Sequence, residues 1–366
     1  MDIITTSNFH ATVLHGQISV VFIPTKHVRQ CSWPLLQLLL YGGCSFDENE
    51  QRCAVEDAHV CRSVQAEVFS IVCDQDGATL FMDPNGIQMF KQAGMEELIT
   101  VAPQEWRAIQ IHLGPMVAEF PGVISFLSKL LAEDNISILN MSTFDTDIIY
   151  VQKADLDTAI SCLQSKLQRG VHGLKEAKEA ELLRPGSASN LLSPSHDDGA
   201  SAEPKDSALS SVVDSGQYLV VYKESLALVR LQKDAIRDSA YGLTQLVLLS
   251  FAGDSEESSG SDGVSYWSYC ETAEEVTLIV TERCLSAFAE ESIIVSPDRW
   301  RAIKLSGRTY GFDETGVVAA MSSFKTDTQV LNVCSFGSNV TFVLEHTLED
   351  SVATLCMNLS ISHVER

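Results

Sequence analysis

One segment of the sequence, Gly311-Phe-Asp-Glu-Thr-Gly-Val-Val318, has the residue types of a site for a charged small molecule. It lies between a predicted strand and the start of a predicted helix, where free backbone N–H groups and the helix dipole favour an anion such as a carboxylate. Asp313 and Glu314 add two groups that can hold a cation through charge-assisted hydrogen bonds. The segment therefore predicts a site for an amino acid. In the alternative interpretation, the glycines only permit a turn and the acids only cap the helix.

The sequence patterns of common catalytic sites are absent. The chain has no Gly-x-Gly-x-x-Gly, no Gly-Lys-Ser/Thr, no Gly-x-Ser-x-Gly and no His-Glu-x-x-His. These patterns mark nucleotide sites, nucleophilic serines and zinc proteases. The 9 histidines are spread singly along the chain. We therefore predict that the protein is not an enzyme and uses no cofactor.

A metal site would have to use the polar insertion at residues 44–66, which contains Cys44, Cys53, His59 and Cys61. The spacings of these residues differ from the closely paired cysteines and histidines of zinc sites. Many of the 10 cysteines lie inside apolar runs, which is typical of buried free thiols. We therefore predict no metal site.

The charge balance of the 366-residue chain limits the classes of molecule that it is expected to bind. It has 25 Lys and Arg against 49 Asp and Glu, a formal net charge of −24, which opposes attraction to nucleic-acid phosphate and to anionic lipid. The first residues lack a basic region followed by an apolar run, and apolar patches such as residues 36–40 are far shorter than the roughly 20 residues of a membrane-spanning helix. We expect a cytosolic protein that binds a small molecule or another protein, and neither nucleic acid nor a membrane.

The strongest internal signal is a repeat. Pro103-Gln-Glu-Trp-Arg-Ala-Ile109 recurs as Pro297-Asp-Arg-Trp-Arg-Ala-Ile303, and Gly122-Val-Ile124 recurs at the same shift of 194 as Gly316-Val-Val318. A deletion of two residues then changes the shift to 192, which pairs Leu139-Asn140 with Leu331-Asn332 and Phe144 with Phe336. Because the matches follow one order along both copies, the chain contains a duplicated unit.

Runs of apolar residues predict how the copies fold. In the first half they indicate a strand at residues 18–23, a helix at 32–41, a hairpin at 69–73 and 80–82, a helix at 84–93 and a strand at 98–101. The pattern then restarts with a strand at 106–111, a helix at 121–133, a hairpin at 136–141 and 148–151 and a helix at 154–167. This is the βαββαβ order of a split βαβ unit, so we predict two units in each half and four in all.

The two halves are separated by residues 170–216, which are rich in Ser, Pro, Ala, Asp and Lys. A stretch of this composition buries too little apolar surface to offset the entropy lost on ordering, so we predict a flexible linker. A second polar insertion, at residues 253–264, is predicted to be a loop. The predicted units, numbered one to four in chain order, are residues 9–102, 103–169, 217–296 and 297–366.

These units and motifs resemble the CASTOR family of cytosolic arginine sensors. The resemblance rests on the repeated Trp-Arg motif, on Ile136-Ser-Ile-Leu-Asn-Met-Ser-Thr-Phe-Asp-Thr-Asp147 and on the segment from Gly311 to Val318. It implies an α+β fold of four ferredoxin-like ACT (βαββαβ) units, arranged as two tandem double-ACT halves. It also implies an amino-acid sensor that forms a homodimer and acts on the TOR growth-control pathway through the GATOR complex.

In that family the amino acid binds between the second and fourth ACT units, so the resemblance implies a site shared by the two halves. Ser137 and Ile138 would form one wall, and Ser335, Phe336 and Asn339 would close the site. The other wall would consist of Gly311, Phe312, Glu314, Thr315, Gly316, Val317 and Val318. Where the family has an aspartate facing the cationic side chain, this sequence has the neutral Asn339, which leaves open whether arginine or a related amino acid binds.

The family binds its partner complex through a surface patch on the second unit. Its Tyr-Gln-x-Asp motif corresponds here to Phe144, Asp145 and Asp147, of which only the last is kept. We expect this hairpin turn to be exposed, either as a partner contact or as an ordinary solvated turn.

The leading hypothesis is that a ligand bridging units two and four stabilises one arrangement of the halves and releases a partner that prefers the other. The first alternative is a ligand-independent ACT-domain adaptor, which Asn339 favours. The second is a regulatory subunit of an amino-acid biosynthetic enzyme such as aspartokinase, whose catalytic domain would have to be a separate chain.

Overall fold

The computed structural model describes residues 9–41, 66–112, 122–167, 170–173, 216–249, 266–324 and 328–366. The strands are β1 (His10–Val13), β2 (Ser19–Pro24), β3 (Phe69–Cys73), β4 (Gly77–Met82), β5 (Thr100–Val101), β6 (Trp106–His112), β7 (Ile138–Ser142), β8 (Thr146–Gln152), β9 (Val171–His172), β10 (Tyr218–Val221), β11 (Leu226–Leu231), β12 (Trp267–Glu271), β13 (Val276–Thr281), β14 (Ile293–Ser306), β15 (Val330–Ser335), β16 (Ser338–Leu344) and β17 (Val364–Glu365). The helices are α1 (Thr25–Val28), α2 (Ser32–Tyr41), α3 (Gly86–Gln92), α4 (Val123–Glu133), α5 (Leu156–Lys166), α6 (Ala240–Leu249), α7 (Val317–Met321) and α8 (Leu348–Asn358).

These strands form two sheets that share β14. The first sheet has the order β5-β2-β4-β3-β12-β13-β11-β14. The second has the order β9-β1-β6-β8-β7-β15-β16-β14-β10-β17. Backbone pairing of Ile18 with Trp106 connects the sheets again on the side away from β14. The ladder therefore closes on itself, and the two sheets form a flattened barrel.

Both sheets run through both halves of the chain. In the first sheet, β3 of the first half pairs with β12 of the second half from Phe69 opposite Glu271 to Cys73 opposite Trp267. In the second sheet, β7 meets β15 with Met141 opposite Val333. The repeated halves are therefore interlocked through their sheets.

Apolar residues on both faces of the strands build a layered molecule. In β4, Phe81 points into the core between the sheets, whereas Leu80 and Met82 point outward under the helices. The outer face of the first sheet is covered by α2 and α6. The outer face of the second is covered by α4 and α5 in one half and by α7 and α8 in the other. Burial on both faces explains why these strands read as continuous apolar runs.

The element types that the sequence predicts for the first half are present in order. The predicted hairpin of residues 69–73 and 80–82 forms β3 and β4. The predicted helix at 121–133 is α4, and the hairpin that follows it is β7 and β8. The pattern of apolar residues was sufficient to identify these elements because each strand or helix buries a regularly spaced set of side chains.

Three short strands pair outside the predicted unit or linker in which they lie. Strand β1 falls within predicted unit one but pairs with β6, with His10 opposite His112. Strand β10 likewise pairs with the second part of β14 and not with unit three. Strand β9 lies inside the predicted linker 170–216 and pairs in parallel with β1. In the first sheet, β4 and β5 already pair with both edges of β2. Strand β1 therefore pairs with a free edge of β6.

Several predictions fall on residues outside those described, namely the cysteine-rich insertion with Cys44, Cys53, His59 and Cys61, the loop at 253–264 and linker residues 174–215. Among the described residues, no group of three or more His, Cys, Asp or Glu side chains is placed to hold a metal ion. Of the four cysteines predicted to be buried free thiols, Cys73, Cys162 and Cys334 are buried, whereas Cys356 is only partly buried. Within the same residues, no helix combines the length and apolar character needed to cross a membrane.

Candidate ligand site between the two halves

The segment of residues 311–318 contacts the first half of the chain through two backbone carbonyl groups. Ser137 Oγ donates a hydrogen bond to the carbonyl oxygen of Glu314 at 3.0 Å. Gln152 Nε2 donates a hydrogen bond to the carbonyl oxygen of Phe312 at 2.8 Å. Ser137 precedes β7 and Gln152 ends β8, so neighbouring ends of one hairpin hold the segment. The structure therefore brings together the two walls that the sequence predicted.

The carboxylate of Glu314 is bonded within its own segment. Its Oε1 accepts a hydrogen bond from the backbone N–H of Gly311 at 2.7 Å, and its Oε2 accepts one from Arg308 Nη2 at 2.7 Å. The guanidinium of Arg308 also lies over the Tyr310 ring, 4.5 Å from its centroid. The cation beside Glu314 is thus a side chain of the protein, and binding of a ligand's cation by this carboxylate stays a prediction. Asp313, the other predicted carboxylate, is exposed.

Gly316 begins α7 in a conformation that few other residues adopt readily. Its φ is 85° and its ψ is −10°, in the left-handed region, and no side chain caps the helix. Gly122 begins α4 in the same way, with φ at 88°. A side chain at either position would strain the backbone. The turn explains the glycine at each helix start, and the uncapped start leaves the anion site of the sequence-based hypothesis in place.

Phe312 fills the space between the halves. Its ring meets Trp106 edge-on with centroids 5.6 Å apart, and it meets Phe336 edge-on at 5.1 Å. Phe336 stacks on Phe22 at 5.1 Å, and its backbone N–H donates to Thr79 Oγ1 at 2.9 Å. Aromatic pairs of this kind add about 0.5–1.5 kcal/mol to the effect of burial. The segment is therefore anchored on the first half by an aromatic cluster.

Asn339 is buried and pairs with another side-chain amide. Asn339 and Asn332 exchange two hydrogen bonds of 2.8 Å, each Nδ2 donating to the other's Oδ1. Asn339 Nδ2 also lies 3.2 Å from Cys334 Sγ. Ser335 Oγ donates to Asp74 Oδ2 at 3.4 Å. Of the three residues predicted to close the site, Phe336 meets the 311–318 segment through its ring, whereas the side chains of Asn339 and Ser335 are bonded elsewhere.

The remaining predicted site residues differ in how far they are exposed. Gly311 is exposed, and Thr315 and Val317 are half-buried. Ile138 and Val318 are buried in the core beneath α4 and α5. Val318 therefore fixes the start of α7 against the helices of the first half.

The hairpin turn predicted to bind a partner is packed against the second half of the chain, and Phe144 and Asp145 are only partly exposed. Asp145 forms an ion pair with Arg230 of the second half, whose guanidinium lies 5.0 Å from the ring centroid of Phe144. The backbone N–H of Phe144 donates to Thr277 Oγ1 at 2.9 Å. Asp147 is only 7% exposed. The turn is docked because β11 and β13 present a cation and a hydroxyl at its tip; partner binding by these residues stays a prediction.

The region from β6 to α5, which supplies the Ser137 wall, is similar to a known domain family. A family model described as the ACT domain matches residues 101–165. The chain therefore contains an ACT domain, and its fold is of the ACT-type α+β class.

Two curated relatives extend the similarity beyond that domain. The cytosolic arginine sensor for mTORC1 subunit 1 of Mus musculus is 22% identical over 272 residues, which cover 72% of this chain and 76% of the mouse protein. The protein of the same name from Homo sapiens is 22% identical over 273 residues, 71% of this chain and 76% of the human protein. The resemblance to the cytosolic arginine sensors is confirmed. Among solved structures, an aspartate kinase from Synechocystis matches 100% of this chain and 58% of its own length at 11% identity, with a TM-score of 0.31, too low to support a functional argument.

Three residues of this ACT junction were missed by the sequence reasoning. Gln152 and Arg308 bond the 311–318 segment, and no motif marks either one. Asn332 joins the halves, since its carbonyl accepts from Asn140 Nδ2 at 2.9 Å and its N–H donates to Ser142 Oγ at 2.9 Å. The repeat carried a signal for this last contact, because Asn140 and Asn332 are equivalent positions.

Proposed function

We propose that the protein is a non-enzymatic cytosolic amino-acid sensor with four ACT units. In this proposal the ligand is arginine or a related amino acid, and it binds between the second and fourth units. Binding lowers the affinity for a protein partner, the GATOR complex, and so regulates the TOR pathway. The support comes from the relatives, whose names describe cytosolic arginine sensors for mTORC1.

One observation carries the proposed site: the Ser137 hydrogen bond joins the hairpin of one half to the loop before α7 in the other. The uncapped helix start at Gly316 favours a carboxylate there. Trp106, which contacts this loop through Phe312, has an indole Nε1 that is buried and has no hydrogen-bond partner within the described part of the chain. An amino acid at this junction would supply an acceptor for that donor.

The same contacts provide a coupling mechanism. A ligand that displaces the 311–318 segment would break the hydrogen bonds from Ser137 and Gln152, which hold the halves together at this point. Two neutral hydrogen bonds contribute about 1–3 kcal/mol in total, which is the usual size of a coupling free energy between sites. A partner that prefers one arrangement of the halves would then be released by the ligand.

The second candidate is a ligand-independent adaptor, and the internal pairing of polar groups favours it. Glu314 is bonded to Arg308, and the amide of Asn339 is bonded to Asn332. In that case the segment would serve as a fixed connection between the halves, and the ACT units would act only as protein interfaces.

Thermal unfolding of the full chain with each of the common amino acids at millimolar concentration separates the two candidates. A ligand at about 100 times its Kd adds roughly 2.7 kcal/mol of stability, which raises Tm by several degrees. Gly316→Val should abolish this rise. Gly94→Val is the matched control, because Gly94 also has a positive φ, 66°, in open space and should keep the rise. Binding retained by Gly316→Val would contradict the site, and no rise with any amino acid would favour the adaptor.

The partner and the assembly are tested separately. The GATOR complex is captured on the purified protein with and without the amino acid that raises Tm. Release by that amino acid is the expected result, and equal capture under both conditions would contradict regulation through this partner. Light scattering of the same samples measures the predicted homodimer.

A further inference from the structure

A cavity of about 130 Å³ lies at the N-terminus of α4, and its described lining includes no residue of the 311–318 segment. It is lined by residues 122–125, by Phe144 and Asp147 of the hairpin and by Gln329, which immediately precedes β15. A single water needs roughly 10–15 Å³ of such space. The cavity therefore has room for a small molecule.

The internal repeat makes this cavity the equivalent of the predicted site. The glycines that begin α4 and α7 correspond at a shift of 194, and at a shift of 192 Gln329 corresponds to Ser137 and Asp147 to Asn339. Equivalent residues of the two copies therefore lie around the α4 cavity and around the predicted site at α7. Only the chemistry differs, since one copy has a carboxylate where the other has an amide.

Two buried polar atoms of the lining residues have no hydrogen-bond partner among the residues that the structure describes. They are Ser322 Oγ, in a residue 3% exposed, and Trp300 Nε1, in a residue 5% exposed. Indole N–H groups only donate, whereas a serine hydroxyl donates or accepts. Leaving such groups without partners destabilises a fold. They point to an occupant that carries at least one hydrogen-bond acceptor.

The charges around the cavity select a class of ligand. Asp147 is 7% exposed, Asp298 is exposed, and none of the described lining residues is Lys, Arg or His. The 11-residue helix α4 begins without a side-chain cap, and its N-terminus favours a carboxylate. Two negative groups and one anion-binding helix end complement a ligand with two positive groups and one carboxylate.

We propose that this cavity is a second ligand site, for an amino acid with a cationic side chain. The ligand's carboxylate binds at the N-terminus of α4 and accepts from Trp300 Nε1, its side-chain cation binds Asp147, and its α-ammonium group faces Asp298. The site uses no residue of the 311–318 segment, so it goes beyond the function proposed above and does not depend on it.

Calorimetric titration of the full chain with L-arginine and with L-citrulline, its neutral analogue, tests the second site. Asp147→Asn should weaken arginine binding by about tenfold or more, as expected for a lost bond between charged groups, and should leave citrulline binding unchanged. This substitution keeps the shape of the side chain and copies the residue found at the equivalent position 339. Ser322→Leu fills the cavity and should abolish binding of both compounds.

Gly316→Val separates this site from the proposed site at α7. One arginine per chain should still bind to Gly316→Val, with an affinity that remains sensitive to Asp147→Asn. Arginine affinity unchanged in both Asp147→Asn and Ser322→Leu would overturn the second site, and so would the absence of arginine binding to the natural chain. Binding lost only in Gly316→Val would assign arginine to the α7 junction and overturn the second site as well.

Discussion

The N-termini of α4 and α7 occupy equivalent positions in the repeat but have different surroundings. Before α7, Phe312 lies between Trp106 and Phe336, and Glu314 is bonded to Arg308. At the start of α4 there is a cavity of about 130 Å³. The backbone has the same conformation at the start of both helices. The surrounding side chains therefore decide whether the protein fills the space beside the helix or leaves a cavity.

The equivalent residues Asn339 and Asp147 differ in how fully other groups of the protein bond their side chains. Asn339 exchanges two hydrogen bonds with Asn332, so its amide is satisfied internally. Asp147 accepts from Ser142 Oγ at 2.5 Å, and burial raises its pKa to about 6 despite hydrogen bonds that lower it. An amide whose oxygen and nitrogen are both bonded within the protein gains little from a ligand, whereas a bonded carboxylate keeps its charge and further acceptor positions. The α4 cavity therefore offers more binding free energy to a charged ligand than the α7 junction does.

The largest expected difference between the copies concerns Lys304 and its equivalent, Gln110. Lys304 is buried and donates to Asp74 Oδ2 at 2.8 Å and Asp76 Oδ2 at 2.5 Å, whereas Gln110 Nε2 donates to Thr146 Oγ1 at 3.2 Å. Lys304→Gln leaves the buried carboxylate of Asp74 without its cation and should lower the free energy of unfolding by about 3–5 kcal/mol. Gln110→Ala should lower it by about 1 kcal/mol. Urea unfolding measures both, and equal losses would contradict the comparison.

Asp147→Asn should stabilise the protein in a pH-dependent way. The pKa of Asp147 is about 6 in the folded protein against 3.8 as its ordinary value, so the folded state holds the proton more tightly than the unfolded state. Stability is therefore lost as pH rises from about 4 to about 6, and the full loss, about 3 kcal/mol, applies above that range. The variant should be more stable by about this amount near pH 7 and nearly unchanged near pH 4.

Urea unfolding of both proteins at the two pH values gives the difference directly. The converse variant, Asn339→Asp, buries a carboxylate beside Asn332 and should destabilise the protein near pH 7. A gain from Asp147→Asn that is larger near pH 4 than near pH 7 would contradict the assigned direction of the pKa.

The sequence was sufficient for the elements but not for all of their pairings. Strands such as β2 and β8 could be predicted because their apolar runs are long and bounded by turn residues. The pairing of β1 with β6 could not, since a strand of four residues carries no information about which free edge it meets. The docking of the hairpin turn was missed for a related reason: Asp145 and Arg230 are distant in sequence, and only the folded sheets bring them together.

The prediction of site residues was limited in the same way as the prediction of strand pairing. The family resemblance placed Ser137 on the wall opposite Glu314, and the structure has a hydrogen bond between these residues. The bonding of Asn339 to Asn332 was missed because the register of β15 and β16 decides which side chains face each other. The repeat could have indicated the α4 cavity, because a shift of 192 relates Asn339 to Asp147. Which of the two places is filled follows from the packing of Phe312, and no sequence pattern encodes that choice.

Phe312→Ala tests how firmly the aromatic cluster fills the α7 junction. Phe312 is half-buried, so its removal should lower the free energy of unfolding by about 1–2 kcal/mol, less than the roughly 3–5 kcal/mol of a fully buried phenylalanine. Phe126→Ala in α4 is the control, since Phe126 is also half-buried but packs against a cluster that is mostly aliphatic. The Phe312 variant should lose about 0.5–1.5 kcal/mol more than the control. If urea unfolding gave the same loss of free energy for both variants, the aromatic contacts would contribute no stability beyond that of burial.

The smallest expected effect concerns the docked hairpin turn. The side chains of Asp145 and Arg230 are 47% and 31% exposed, and solvent-exposed ion pairs contribute about 0–1 kcal/mol. A double-mutant cycle with Asp145→Asn and Arg230→Gln should therefore give a coupling energy below about 1 kcal/mol. Arg230→Gln alone should cost more than Asp145→Asn, because Arg230 also bonds Glu275, whose side chain is only 6% exposed.

This weak docking bears on the predicted partner contact. If Phe144 and Asp145 bind a partner, they must first leave Arg230 and Thr277, and the free energy of undocking is subtracted from the free energy of binding. Arg230→Gln should then increase capture of the partner, although it lowers the stability of the fold more than Asp145→Asn does. Asp145→Asn undocks the turn too, but it also removes a carboxylate from the contact, so it should not increase capture as much. Capture that is equal in both variants and in the natural chain would show that the partner does not use this turn.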